Sequence, residues 1–140
     1  MQQTRKYRMV FEKMVQASNE LILGLELNRD YAQMTYFHQS VKEPLTVSRT
    51  AGEDDYLLPM GLRMDAAGEW HLWDADVQTE EEATDRFHIF GIYEKIENGT
   101  KLQDQEIVYE PEELLAIYIR TCMNFLKLLA QNAEVKVMVT

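Results

Sequence analysis

The hydrophobic pattern changes period several times along this chain. Tyr7, Val10, Phe11, Met14 and Val15 recur at i, i+3, i+4, i+7 and i+8, with Arg8, Glu12, Lys13 and Gln16 between them. That spacing predicts an amphipathic helix within residues 1–19. Leu21-Ile22-Leu23-Gly24-Leu25-Glu26-Leu27 is apolar around a single carboxylate and lacks helical punctuation, which predicts a central strand covered on both faces. Asn28-Arg29-Asp30 then supplies turn chemistry, because Asn and Asp tolerate positive φ and bond to nearby backbone. Tyr31 to His38 resumes with β-favouring aromatics and Thr35, so two strands meet in a hairpin. Lys42-Glu43-Pro44 breaks the chain, Leu45 to Arg49 predicts a third short strand, and residues 50–55 form a polar loop.

The second half alternates in the same way. Leu58 to Met64 and Trp70 to Trp73 flank Asp65-Ala66-Ala67-Gly68-Glu69, a turn sequence suited to a hairpin. Thr79 is a predicted N-cap for the acidic run Glu80-Glu81-Glu82. From Ala83 onward, Phe87, Phe90, Ile92 and Tyr93 predict a helix that ends at Asn98-Gly99, although "HIFGIY" also reads as a strand broken by Gly91. Ile107 to Tyr109 is a short extended piece. Pro111 stands where the first residue of a helix belongs, with Glu112 and Glu113 at its positive end. This helix is predicted to run over 111–131, with Arg120, Asn124, Lys127 and Gln131 as its polar stripe. Val135, Val137 and Val139 alternate into a final strand, expected to lie parallel to an earlier one.

Composition narrows the class. With 46% hydrophobic and 27% charged residues in 140, the chain suits one folded domain with a sizeable core. No apolar run approaches the roughly 18 residues of a membrane span. The N-terminus lacks the pattern of a secretion signal, so a cytoplasmic location is expected. A net charge of −10 opposes a nucleic-acid surface. Within residues 1–19, Arg5, Lys6, Arg8 and Lys13 face Glu12 alone, which makes this stretch electrostatically distinct; packing on a protein is a commoner fate for such a helix than lying on a membrane. Cys122, the single cysteine, has apolar neighbours and reads as a buried inert thiol.

The motifs at the two ends carry a family resemblance. "ILGLELNRDYAQMTY" (22–36) resembles the first phosphate-binding hairpin of the actin, sugar-kinase and heat-shock chaperone ATPase superfamily, in which an apolar strand ends in Asp-x-Gly-Thr and a second strand follows. "YEPEELLAIYIRTCMNFL" (109–126) with "VKVMVT" (135–140) resembles the chaperone pattern of a Pro-Glu-Glu helix leading into a strand; "EDDYLLPMGLRM" and "GEWHLWDADV" fit the region between. The resemblance covers about residues 21–140. It implies an α/β fold: a mixed, ribonuclease-H-like sheet of an actin-like ATPase N-terminal subdomain over 20–140, with helices packed on it and the basic helix 1–19 in front.

Function follows from the same resemblance as an expectation. Glu26 stands at the acidic, catalytic position of the phosphate hairpin. Asn28, Arg29 and Asp30 occupy the nucleotide-binding turn where the family has Gly and Thr or Ser. Glu26 keeps the charge with one more methylene, Asn28 suits the turn, Arg29 suits phosphate, and Asp30 opposes it. ATP and Mg2+ are the implied cofactors when the full domain exists, with no metal held by side chains alone. The family's other phosphate loop and second lobe follow its valine strand, so the 140-residue chain is expected not to hydrolyse ATP by itself, and a chain continuing past Thr140 would complete the domain. The remaining lobes of a longer chain, a protein partner or another copy of this chain are the expected partners.

Simpler readings stand beside these. Glu26 is otherwise a carboxylate reaching solvent at a strand end. His38, His71 and His88 lack the spacing of a metal site. Trp70 and Trp73 read as hairpin packing. No Gly-x-Ser-x-Gly, Walker or Cys-x-x-Cys motif occurs. The alternative function is therefore a non-catalytic interaction or assembly module that uses the same half-fold as a scaffold, through helix 1–19 or the last strand.

Overall fold

The structure is a computed structural model that describes residues 20–39, 41, 43–50, 52–75, 80–104, 106–131 and 133–140. The helix expected within 1–19 and the cap at Thr79 lie outside the described residues. The chain divides into two compact units. The first comprises Met1–Leu27, Ala32–Leu57 and Met123–Thr140; the second comprises Asn28–Tyr31 and Leu58–Cys122.

In the first unit, β1 (Glu20–Leu27) lies between β2 (Tyr31–His38) and β10 (Glu134–Val139), and β3 (Leu45–Thr46) extends the sheet beyond β2. β2 is antiparallel to β1, with Ile22 opposite Phe37 and Leu25 opposite Met34. β10 is parallel to β1, with Leu21 beside Val135 and Leu25 beside Val139. Leu21, Leu23 and Leu25 are buried on one face of β1 and Ile22 on the other. Successive strand residues alternate between faces, so the unbroken apolar run marks a strand covered on both. Ile22 and Phe37 are joined by Val41 and Met138 in one cluster. The ends of β1 and β10 are tied together, since the Leu27 amide donates to the Thr140 carbonyl at 2.9 Å and the Thr140 amide to the Leu25 carbonyl at 2.9 Å.

One charge is buried at the start of this sheet. Glu20 Oε1 accepts from Lys136 Nζ at 2.7 Å, with the Glu20 side chain 4% exposed. The hydrogen bond to Glu20 holds the Lys136 ammonium above its ordinary value of 10.5.

The second unit contains β5 (Gly61–Met64) between β6 (Trp70–Leu72) and β7 (Phe87–Phe90), all antiparallel, with β4 (Leu58–Pro59) leading into β5. Helix α1 (Ile92–Glu97) follows β7. A two-stranded hairpin, β8 (Leu102–Asp104) and β9 (Ile107–Tyr109), precedes α2 (Pro111–Met123). The predicted β5–β6 turn is built by Asp65, whose Oδ1 accepts the amides of Ala67 and Glu69, each at 2.9 Å. Helix α2 starts at Pro111, as its sequence requires, and buries Leu114, Ile117, Tyr118, Thr121 and Cys122 along one face. The Tyr118 hydroxyl donates to the Pro59 carbonyl at 2.8 Å, and burial pushes the Cys122 thiol up to about 12.

The expected α/β architecture is not what forms. Strand prevails, the sheets are small and mixed, and the described helix is confined to α1, α2 and the short α3 (Lys127–Ala130), so this is not an actin-like sheet with helices packed on it. Two local features underlie the difference. Residues 83–98 are not one helix, and the strand broken by Gly91 is the reading that forms: a 3-10 turn over Glu80–Thr84 is followed by β7, whose exposure alternates with period two, and Gly91 at φ 66 then starts α1. The helix expected over 111–131 gives way to a 3-10 turn at Asn124–Leu126. Among the described residues no helix is long and apolar enough to cross a membrane.

Replacing Lys136 with Met leaves the buried Glu20 carboxylate without its cation. The K136M chain should unfold at lower urea concentration than the wild type at pH 7. Because the lysine's folded-state pKa is raised, the pair's contribution is complete below 10.5 and is lost as pH climbs through the folded value. The gap between the two urea midpoints should therefore close in strong alkali; a gap unchanged by pH contradicts the assignment.

Candidate functional site

The second unit contains a cavity of about 460 Å3, lined by Arg29 and Asp30 of the 28–31 turn, Pro59, Met60 and Gly61 around β5, Trp73, Asp74 and Ala75 after β6, and Phe90, Gly91, Glu94 and Lys95 from β7 and α1. Short-range geometry brings these pieces together. The Asn28 amide closes the turn on the Tyr31 carbonyl at 2.9 Å. Gly61 lets two strands approach closely, for a Cβ there would lie 2.3 Å from the Trp73 carbonyl oxygen. The Gly61 carbonyl in turn accepts the Trp73 amide at 2.9 Å, and the Met60 carbonyl accepts the Ile92 amide at 3.1 Å. Gly91, in the left-handed region, turns the chain sharply from β7 into α1.

The charges on the lining are mixed. Arg29 Nε lies 3.6 Å from Glu94 Oε1 with both side chains more than half exposed, 64% and 54%; such a pair is weak and easily exchanged for another partner. Lys95 Nζ donates to the Phe90 carbonyl at 3.1 Å and lies 5.4 Å from the Phe90 ring centroid, over its face. Asp30, Asp74 and Glu94 give three carboxylates against these two cations.

The aromatic wall is braced from behind. Trp73 stacks on His88 at 4.5 Å and 21°, and its indole N–H donates to Glu82 Oε2 at 3.3 Å. His88 Nε2 lies 2.8 Å from Asp85 Oδ2, while Arg63 donates to Asp85 Oδ1 at 2.9 Å. The Asp85 side chain is 1% exposed, so these two partners compensate its burial. Beside the β5–β6 turn, Asp65, Glu69 and His71 bring ligand-type atoms within 4.8 Å. Asp65 is spent on its own turn and on His71 Nε2 at 2.8 Å, and these hydrogen bonds, His71 first, hold its carboxyl below the ordinary value. The group serves the hairpin.

The candidates named from sequence separate. Arg29 and Asp30 line the cavity. Asn28 contributes its amide to the turn. Glu26 lies in β1 of the first unit, half-buried and opposite Gln33 in the ladder, and is absent from the described lining. Lys95 was not singled out by sequence reasoning because it looks like a surface charge on a short helix. The signal that could have found it is "FGIYEK", an aromatic-glycine break placed just before a cation.

Residues 43–140 match a family described as "Family of unknown function (DUF5716) C-terminal", and the chain belongs to that family. A search of curated proteins finds no match. The matched stretch contains Gly61, Trp73, Gly91 and Lys95, whereas Glu26 and the 28–31 turn precede it.

The close approach at Gly61 gives a test of how the cavity is built. Alanine there must displace the backbone at Trp73, so G61A should lose about 2 kcal/mol of stability, in the range of core overpacking. Urea unfolding checks this, and an unchanged midpoint contradicts the contact.

Proposed function

We propose that this chain binds nucleotide as part of an ATPase, and that the cavity receives the phosphate end of ATP with Mg2+. One observation carries the reading: the hairpin turn singled out by its phosphate-loop resemblance lines the same cavity as a lysine more than sixty residues away, Lys95. The donor set fits the ligand chemically. Arg29 and Lys95 suit phosphate oxygens, through a planar fork and a point charge respectively, and Asp30 and Asp74 suit a hard, hydrated cation held through its waters. When bound, Mg2+ neutralises part of the phosphate charge.

The chain's own residues have distinct tasks in this reading. Arg29 leaves its exposed contact with Glu94 and turns to phosphate. Lys95, held by the Phe90 carbonyl, is already placed on the lining. Three carboxylates against two cations repel a bare triphosphate, so binding requires the metal. The chain alone binds without turnover in this reading, and Glu26, the catalytic candidate, is not on the described lining.

A second reading, an assembly module, is favoured by the exposure of Val137 and Val139 on β10, the outermost strand of its sheet among the described residues, whose edge suits pairing with another copy or a partner.

Isothermal titration of Mg·ATP into the 140-residue chain should give saturable heat at submillimolar to millimolar ligand. EDTA should abolish it, and K95A should weaken binding about tenfold or more, the cost of losing a hydrogen bond to a charged group. Absence of heat at millimolar Mg·ATP, or equal binding by K95A, overturns the nucleotide reading and leaves the module.

A further inference from the structure

The stretch LQDQEIVYEPEE, residues 102–113, holds five carboxylates and no cation around one aliphatic pair. It folds into β8, β9 and the first turn of α2. β9 pairs with β8 alone among the described residues, with Gln103 opposite Val108 and Asp104 opposite Ile107. Ile107 and Val108 are 48% and 46% exposed. As consecutive strand residues they point to opposite faces, so neither face of β9 is fully covered. In an antiparallel pair only alternate residues of a strand bond to the partner; the other N–H and C=O groups of β9 face away from β8.

Folded proteins blunt such an edge with charged side chains, proline, a bulge or a very short strand, and β9 uses its shortness, three residues, and its acidic ends. This one has an uninterrupted aliphatic centre flanked by acid. Glu106 is exposed on one side, and Glu112 and Glu113 are exposed beyond the other. Nearby cations are already engaged: Lys101 with Glu110 at 3.3 Å and Arg86 with Asp104 at 3.7 Å. A second copy is a poor occupant, because antiparallel pairing of two EIVYE segments about Val108 sets Glu106 against Glu110, and like charges directly opposite are destabilising.

We propose that the outer edge of β9 is a docking site for an extended peptide segment of a partner protein, with an aliphatic centre and lysine or arginine flanks, added to the β8–β9 hairpin as a third strand. A two-stranded hairpin is marginal alone and gains most from such an addition. Main-chain hydrogen bonds supply binding, Ile107 and Val108 pack against the incoming aliphatics, and the acidic flanks select the basic ends. The site is independent of the nucleotide reading.

Fluorescence polarisation with the full chain tests this, using a labelled peptide of alternating Val and Thr between paired lysines. Controls are the same peptide with glutamate flanks, and the lysine peptide N-methylated at alternate residues. The lysine peptide should bind at least about tenfold tighter than the glutamate one at low salt, with the difference shrinking at high salt. The N-methylation series that blocks the edge-facing amides should abolish binding, and E106K should erode the preference. The proposal is overturned by equal binding of both flanks, by N-methylated peptides binding as well as the parent, or by a concentration-dependent dimer in sedimentation that I107K dissolves.

Discussion

Strand β1 is paired along both edges and buried on both faces, and the first unit is organised around that constraint. A strand with Leu21, Leu23 and Leu25 on one side and Ile22 on the other cannot tolerate a register slip without sending each side chain to the wrong face. The antiparallel partner β2 is delivered at once by the 28–31 turn, whereas the parallel partner β10 must return from a distant part of the sequence. The reciprocal hydrogen bonds linking Leu25 and Leu27 with Thr140 lock that long-range pairing at one end, and the Glu20 to Lys136 pair marks the other.

The second unit answers to a different constraint, close backbone approach. Gly61 admits the Trp73 carbonyl where no side chain fits, and Gly91 permits the turn between β7 and α1. Together they leave a concave surface whose walls are aromatic and whose rim is charged. Trp73 is held by stacking and by Glu82, not by apolar packing alone, so its ring is placed before any ligand arrives. Such preorganisation lowers the cost of ordering a site on binding.

What could be read in advance followed local chemistry. The Asn28 to Asp30 turn, the Asp65 turn and the Pro111 helix start were legible because each rests on a few adjacent residues with strong backbone preferences. The parallel pairing of the valine strand was legible from the apolar run at Leu21 to Leu27 and the long helix before Val135. Strand β7 was legible only as the second of two readings, a strand broken at Gly91, since Phe87, Phe90, Ile92 and Tyr93 also satisfy a helical period over a window too short to exclude a helix. The sheet-and-helix layering failed for the same reason: residues 58–109 spend themselves on small hairpins instead of crossover helices. Within the site, Arg29 and Asp30 were visible as turn residues, but Lys95 acquires meaning only when α1 is placed beside that turn.

The central claim is that the 28–31 turn and the start of α1 share one ligand, the phosphate end of a magnesium nucleotide. Backbone amide NMR of the labelled chain during titration with Mg·ATP tests it most directly. The account predicts saturable shifts concentrated at Arg29, Asp30, Gly91, Glu94 and Lys95, with a single dissociation constant, and none with ATP in EDTA. Shifts that bypass these residues, or that settle elsewhere in the chain, would contradict it.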